Sequence, residues 1–239
     1  MAEFDDGTRS IHYDIEGDGH PVLLIAPGGM RSSNQLWANM PWNPRTALAG
    51  DYRVIGMDQR NAGRSTAPIS GDDGWDTYTA DQLALLDHLG VDRCHVVGMC
   101  IGGPYIMNLL TTAPERFSAA VLLQPVGISD NREALYEMFD QWAEAIASHH
   151  PEVTDAEWES FRSNMWDGEF VLTATPDDVA ACDTPMLVAM GNDLYHPSST
   201  SREIADRAPN ATFVETWKEG DALEAFDGIA RGFLAEHTP

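Results

Sequence analysis

The chain has 239 residues, 43% of them hydrophobic, which suits one domain with a sizeable core and room for an insertion. Asp plus Glu number 38 against 14 Lys plus Arg, a net charge of −24, which excludes nucleic-acid backbones as partners and disfavours acidic membrane surfaces. Three cysteines without a CxxC pair exclude a disulfide framework, and no apolar run approaches the roughly 18 residues of a membrane span.

The first ten residues, "MAEFDDGTRS", are acidic and polar and hold no signal peptide, so a cytoplasmic location is expected. "RSIHYDIEG" alternates like an exposed strand and ends in a Gly-Asp-Gly turn. "PVLLIAPGG" is an apolar run stopped by glycines, and "DYRVIGMDQR" is a second short strand. "YTADQLALLDHLG" carries helical spacing with a Gly beyond its end. "CHVVGM" reads as a strand, "IGGPYIMNLLTTAP" as a helix and "FSAAVLLQP" as a strand. After an interruption come "TPMLVAMGND" (strand), "SREIADRAP" (helix), "ATFVETW" (strand) and "LEAFDGIARGFLAEH" (helix). Apolar strands alternating with helices predict a mostly parallel α/β sheet covered on both faces. The interruption, residues 128–182, is rich in helical pattern and aromatics and predicts a helical cap, leaving 1–127 and 183–239 as the core. Half of its aromatics are expected to form its own core. Trp142, Phe139 and Trp166 are taken as walls of an apolar substrate pocket between cap and sheet.

The informative corner is "GMCIGG". A residue between a strand and a helix is held in a strained backbone conformation, and bulky neighbours two positions away would clash, hence Gly98 and Gly102. Cys100 stands at the corner, at the N-terminus of the next helix, where unpaired amides and the helix dipole favour a thiolate. The amide of Ile101 is placed to hold a developing oxyanion. Cys94 and Cys182 read as small core residues.

Along nearly its whole length the chain resembles the α/β-hydrolases. Gly98-Met99-Cys100-Ile101-Gly102 is similar to their G-x-S-x-G nucleophile elbow with Cys in place of Ser. "LLIAPGGM" resembles the oxyanion loop, with Pro27 near the usual His, and "VIGMDQRNAGRS" resembles a D-x-R-G-x-G-x-S turn with Asn61 in place of Gly. The resemblance implies an α/β-hydrolase fold, Asp193 as the triad acid, and an oxyanion amide from Gly29 or Met30 to join that of Ile101.

The triad base departs from the pattern. After the last strand, where the family places His, the chain reads "TWKEGD", with Asp221 following Gly220. Of the eight histidines, His12, His20, His88 and His95 fall on the wrong end or edge of the sheet. His149 and His150 lie in the cap, and His237 lies near the end. His196, three residues after Asp193, is open between a helix N-terminal residue and a general base; in the latter role the helix N-terminus would keep its ring neutral. Lys218, the only lysine, reads as a solvated side chain or a substitute base.

Two functions follow as expectations. One is a hydrolase or acyltransferase that attacks an ester, thioester, lactone or related activated carbonyl through Cys100, with a small and largely apolar substrate. The other is a non-catalytic α/β-hydrolase relative, similar to the N-myc downstream-regulated proteins, that binds a ligand or partner. No spacing fits a metal, no phosphate loop is present, and no cofactor is expected. Homo-oligomerisation is left open, and the acidic surface reads as a self-repelling protein or as an adaptation to high salt.

Overall fold

The computed structural model describes residues 2–239. Eight strands form one sheet: β1 (Ala2–Asp5), β2 (Ser10–Glu16), β3 (His20–Ile25), β4 (Tyr52–Met57), β5 (Cys94–Met99), β6 (Phe117–Leu123), β7 (Met186–Ala189) and β8 (Ala211–Val214). Their order is β1-β2-β4-β3-β5-β6-β7-β8. The β1–β2 and β2–β4 pairs are antiparallel, and every pair from β4 through β8 is parallel.

The strands dictate this layout. β5 and β6 are buried at every position, as apolar runs without alternation require when helices cover both faces of a sheet. Helices α1 (Pro44–Leu48) and α8 (Gly220–Glu236) lie on one face, and α2 (Trp75–His88) and α3 (Gly102–Thr112) on the other. Between β6 and β7 come α4 (Arg132–Ile146), α5 (Asp155–Trp166) and α6 (Pro176–Ala180), without a strand. Helix α7 (Ser198–Arg207) joins β7 to β8. No helix among the described residues is long and apolar enough to cross a membrane.

Two local departures from pattern have physical reasons. Asn61 sits at φ +55, a left-handed conformation that Asn tolerates better than other non-glycine residues. Its Oδ1 accepts from the Ala67 amide at 2.9 Å, which closes the turn. β1 lies on an edge strand that the polar opening segment did not suggest; it is held by backbone pairing to β2 rather than by an apolar face, being exposed except at Phe4.

Candidate active site

Cys100 follows β5 directly and precedes α3, at φ +61. That conformation is costly for a residue with a Cβ, and the surroundings fix it. The Cys100 amide donates to Leu123 O at 3.0 Å, and its carbonyl accepts from Gly103 N and Val126 N, each at 3.0 Å. The flanking glycines let strand and helix close on each other. A Cβ on Gly98 would meet Gly102 O at 2.9 Å, and one on Gly102 would meet Ile25 O at 2.8 Å.

Two amides are directed at the Cys100 sulfur, those of Gly28 and Ile101. Ile101 is the amide expected. The second comes from Gly28, one residue ahead of Gly29 and Met30. Gly28 itself makes the corner after β3, at φ +116, so its amide is the one laid over the strand end. Gly29 and Met30 begin the short turn that follows, in which Gly29 O accepts from Ser32 N at 3.1 Å.

The loop after β7 supplies the other side. His196 Nδ1 lies 2.7 Å and 2.8 Å from the two carboxylate oxygens of Asp193. The same carboxylate accepts the amides of Tyr195 at 3.0 Å and His196 at 3.1 Å. A residue three positions from its acid can therefore face it, because the loop curls around the carboxylate. Gly191 makes room for this curl, since a Cβ there would meet His196 Cβ and His196 O at 2.5 Å. Asn131, buried at the start of α4, donates to both Gly127 O (3.0 Å) and Leu194 O (2.8 Å) and ties the helical segment to this loop. Gly191 and Asn131 carried no motif signal in the sequence.

The far nitrogen of His196, Nε2, is buried without a hydrogen-bond partner, and the Cys100 sulfur is close enough to act on the charge of the ring. Burial pushes the Cys100 thiol up, but the His196 imidazole and the amides of Gly28 and Ile101 outweigh it and hold the thiol below its ordinary value. Burial likewise pushes His196 down, yet the Cys100 sulfur and the Asp193 carboxylate outweigh it and raise it. Desolvation raises Asp193, and the His196 ring and two backbone amides lower it by more. The opposed shifts favour the thiolate–imidazolium form of the pair, and the titrations belong to the pair rather than to either group. Against the neutral ring expected from the helix N-terminus, the Cys100 sulfur and the Asp193 carboxylate both favour a proton on His196.

The other sequence candidates lie elsewhere. Lys218, after β8, donates to Gln124 Oε1 at 2.9 Å, at the end of β6. Asp221 sits in the first turn of α8, which five residues separate from β8, so the connection that would carry a triad His is short. His95 pairs with Ser118 and Thr238 at the opposite end of β5. Phe139 and Trp166 line none of the five clefts described. Both are fully buried, Phe139 against Trp142, Trp158 and Phe161, and Trp166 against Trp75. Helices α4 and α5 pack on each other and need a core of their own, which these rings fill. Trp142 belongs to the same cluster, with one edge on a cleft that Cys100 does not line. The side chain that does sit over the oxyanion loop is Met138, whose Sδ would be 2.4 Å from a Cβ at Gly29.

A family model described as the alpha/beta hydrolase fold matches residues 21–184. The chain belongs to this family. A putative carbamate hydrolase, RutD, of Pseudomonas syringae pv. syringae is 28% identical over 87% of this chain and 90% of its own. A putative non-heme bromoperoxidase, BpoC, of Mycobacterium tuberculosis is 26% identical over 86% of this chain and 88% of its own. Among solved structures, a meta-cleavage product hydrolase from Pseudomonas fluorescens superposes with TM-score 0.71 at 21% identity over 95% of each chain. An enol-lactonase from Burkholderia xenovorans superposes with TM-score 0.69 at 22% identity, over 95% of this chain and 97% of its own. These superpositions establish the shared sheet and helix arrangement.

Proposed function

We propose that the chain is a hydrolase of small-molecule esters, thioesters or lactones that works through a Cys100 thiolate. The observation that carries this reading is the row Cys100–His196–Asp193, with Cys100 at φ +61 and the His196 ring held at 2.7 Å by the acid. Relatives named as carbamate hydrolase and 2-hydroxy-6-oxo-6-phenylhexa-2,4-dienoate hydrolase support a hydrolytic reaction.

The steps follow from the geometry. The Cys100 sulfur attacks the carbonyl carbon, and the carbonyl π pair moves onto oxygen, which the Gly28 and Ile101 amides hold. The oxyanion collapses, the C–O or C–S bond to the leaving group breaks, and the imidazolium of His196 gives that group its proton. The acyl group is now a thioester on Cys100. His196, neutral after this transfer, takes a proton from water as the water attacks the thioester. The acid leaves, and the thiolate–imidazolium pair is restored. Asp193 holds the ring with Nε2 toward sulfur throughout.

The test is the steady-state hydrolysis of p-nitrophenyl acetate and butyrate. His196→Ala should lower kcat/KM by about 100-fold or more, and Cys100→Ala should leave only the background of the buffer. Undiminished turnover in Cys100→Ala would remove the sulfur from the reaction.

A further inference from the structure

A cleft of about 520 Å³ opens where α4 and the turn after it meet the core, within the size range of small-molecule sites, about 300–1,000 Å³. Neither Cys100 nor His196 lines it. Leu36, in its wall, packs on Gly28, with Cδ1 2.6 Å from where a Cβ would stand. One wall is apolar, made by Leu36, Trp142 and Ile146. The other carries Arg31, His149 and His150.

Its charge sets it apart. The chain holds 38 acidic residues against 14 Lys plus Arg, yet no carboxylate lines this cleft. Four other clefts on the molecule each carry at least one. Arg31 is an exposed cation whose guanidinium donates to the Gln141 carbonyl at 2.9 Å, and among the described residues it forms no ion pair with a carboxylate. Nearby, His150 Nδ1 has Glu152 Oε1 at 3.4 Å on its outer side. Most arginines in this chain are engaged by Asp or Glu, as at Arg45, Arg60, Arg116, Arg132 and Arg162. A guanidinium left without a carboxylate, next to a ring surface and on an otherwise anionic protein, is suited to receive a carboxylate from outside.

We infer that this cleft is a second binding site, for a small organic monocarboxylate with an apolar aryl or alkyl body. The carboxylate would sit on Arg31, with His149 and His150 beside it, and the body on Trp142, Ile146 and Leu36. The site is distinct from the reaction centre proposed above and does not depend on it.

Calorimetric titration of the full chain with phenylacetate tests this, with phenylacetamide as the uncharged match. Arg31 is exposed, so Arg31→Gln and Arg31→Lys are expected to fold, and circular dichroism checks both. Phenylacetate should bind one-to-one. Phenylacetamide to the wild type, and phenylacetate to Arg31→Gln, should each bind at least about tenfold more weakly. Arg31→Lys should keep the preference for the acid over the amide. Protein alkylated at Cys100 with iodoacetamide should bind phenylacetate as the unmodified protein does. Equal binding of acid and amide, or unchanged binding in Arg31→Gln, overturns the inference. Loss of binding on alkylation also overturns it, by placing the ligand at Cys100. So does the absence of any binding up to about 20 mM phenylacetate.

Discussion

Gly191 gives a sharp test of how His196 is held. A methyl group added there would lie 2.5 Å from both Cβ and O of His196, where ordinary contact begins at 3.4 Å. The obstruction includes His196 backbone, so a side-chain rotation cannot relieve it, and the loop would have to move by about 0.9 Å. Misplacement of a reacting group by roughly 1 Å costs on the order of 100-fold. Gly191→Ala should therefore lower the acylation rate of Cys100 by about that factor, and the pH profile of thiol alkylation should move upward as the imidazolium draws away from the sulfur. Gly232, on α8, has nothing within 4 Å of its Cβ position, and Gly232→Ala is the control that should change neither. Stopped-flow release of p-nitrophenol from p-nitrophenyl acetate gives the acylation rate, and iodoacetamide kinetics from pH 5 to 9 give the profile. A Gly191→Ala protein with the wild-type rate and profile would refute the idea that the position of His196 depends on this close approach.

The three thiols should separate by chemistry. Cys100 should alkylate fastest at neutral pH, while Cys94, which burial pushes up to about 12, should be nearly inert in the folded state; comparable labelling of the two would contradict the assignment. In His196→Ala, the Cys100 profile should rise toward the ordinary thiol range near about 8.5. At the far end of the sheet, burial and the neighbouring His20 and His237 push His95 down to about 3. The unfolded chain takes up a proton near about 6.5 that the folded chain refuses, so stability held at pH 7 is lost as pH falls from about 6.5 toward 3. The loss from pH 7 to 5 should be about 2 kcal/mol by urea unfolding, and shallower in His95→Gln; identical slopes would exclude His95 as its source.

Much of this molecule is legible in the residues because its elements are locally consistent. The continuous apolar runs at 94–99 and 117–123 can only be buried strands, and glycines at 98 and 102 around Cys100 mark a corner that other residues would block. Asp193 is legible through the likeness of "TPMLVAMGND" to the family strand that delivers the acid. His196 was visible only by elimination among eight histidines, because sequence spacing does not say whether a loop curls toward its acid or away from it. The resemblance points to Gly29 or Met30 rather than Gly28 for the second amide, because spacing does not say which of two adjacent glycines takes the turn at φ +116. The rings of Phe139 and Trp166 read as pocket walls because the sequence tells that a segment is apolar without telling what covers it. Here the cover is the neighbouring helix rather than a ligand.

The central claim is that a carbonyl carbon becomes bonded to the Cys100 sulfur. The most direct measurement is acid quench within milliseconds of mixing with p-nitrophenyl butyrate, followed by peptide mass spectrometry. A butyryl group on the peptide carrying Cys100, absent in Cys100→Ala and persisting longer in His196→Ala, is the predicted result. Ester hydrolysis with no acyl group on Cys100 at any quench time, or an intact ester with no acylation at all, would contradict it.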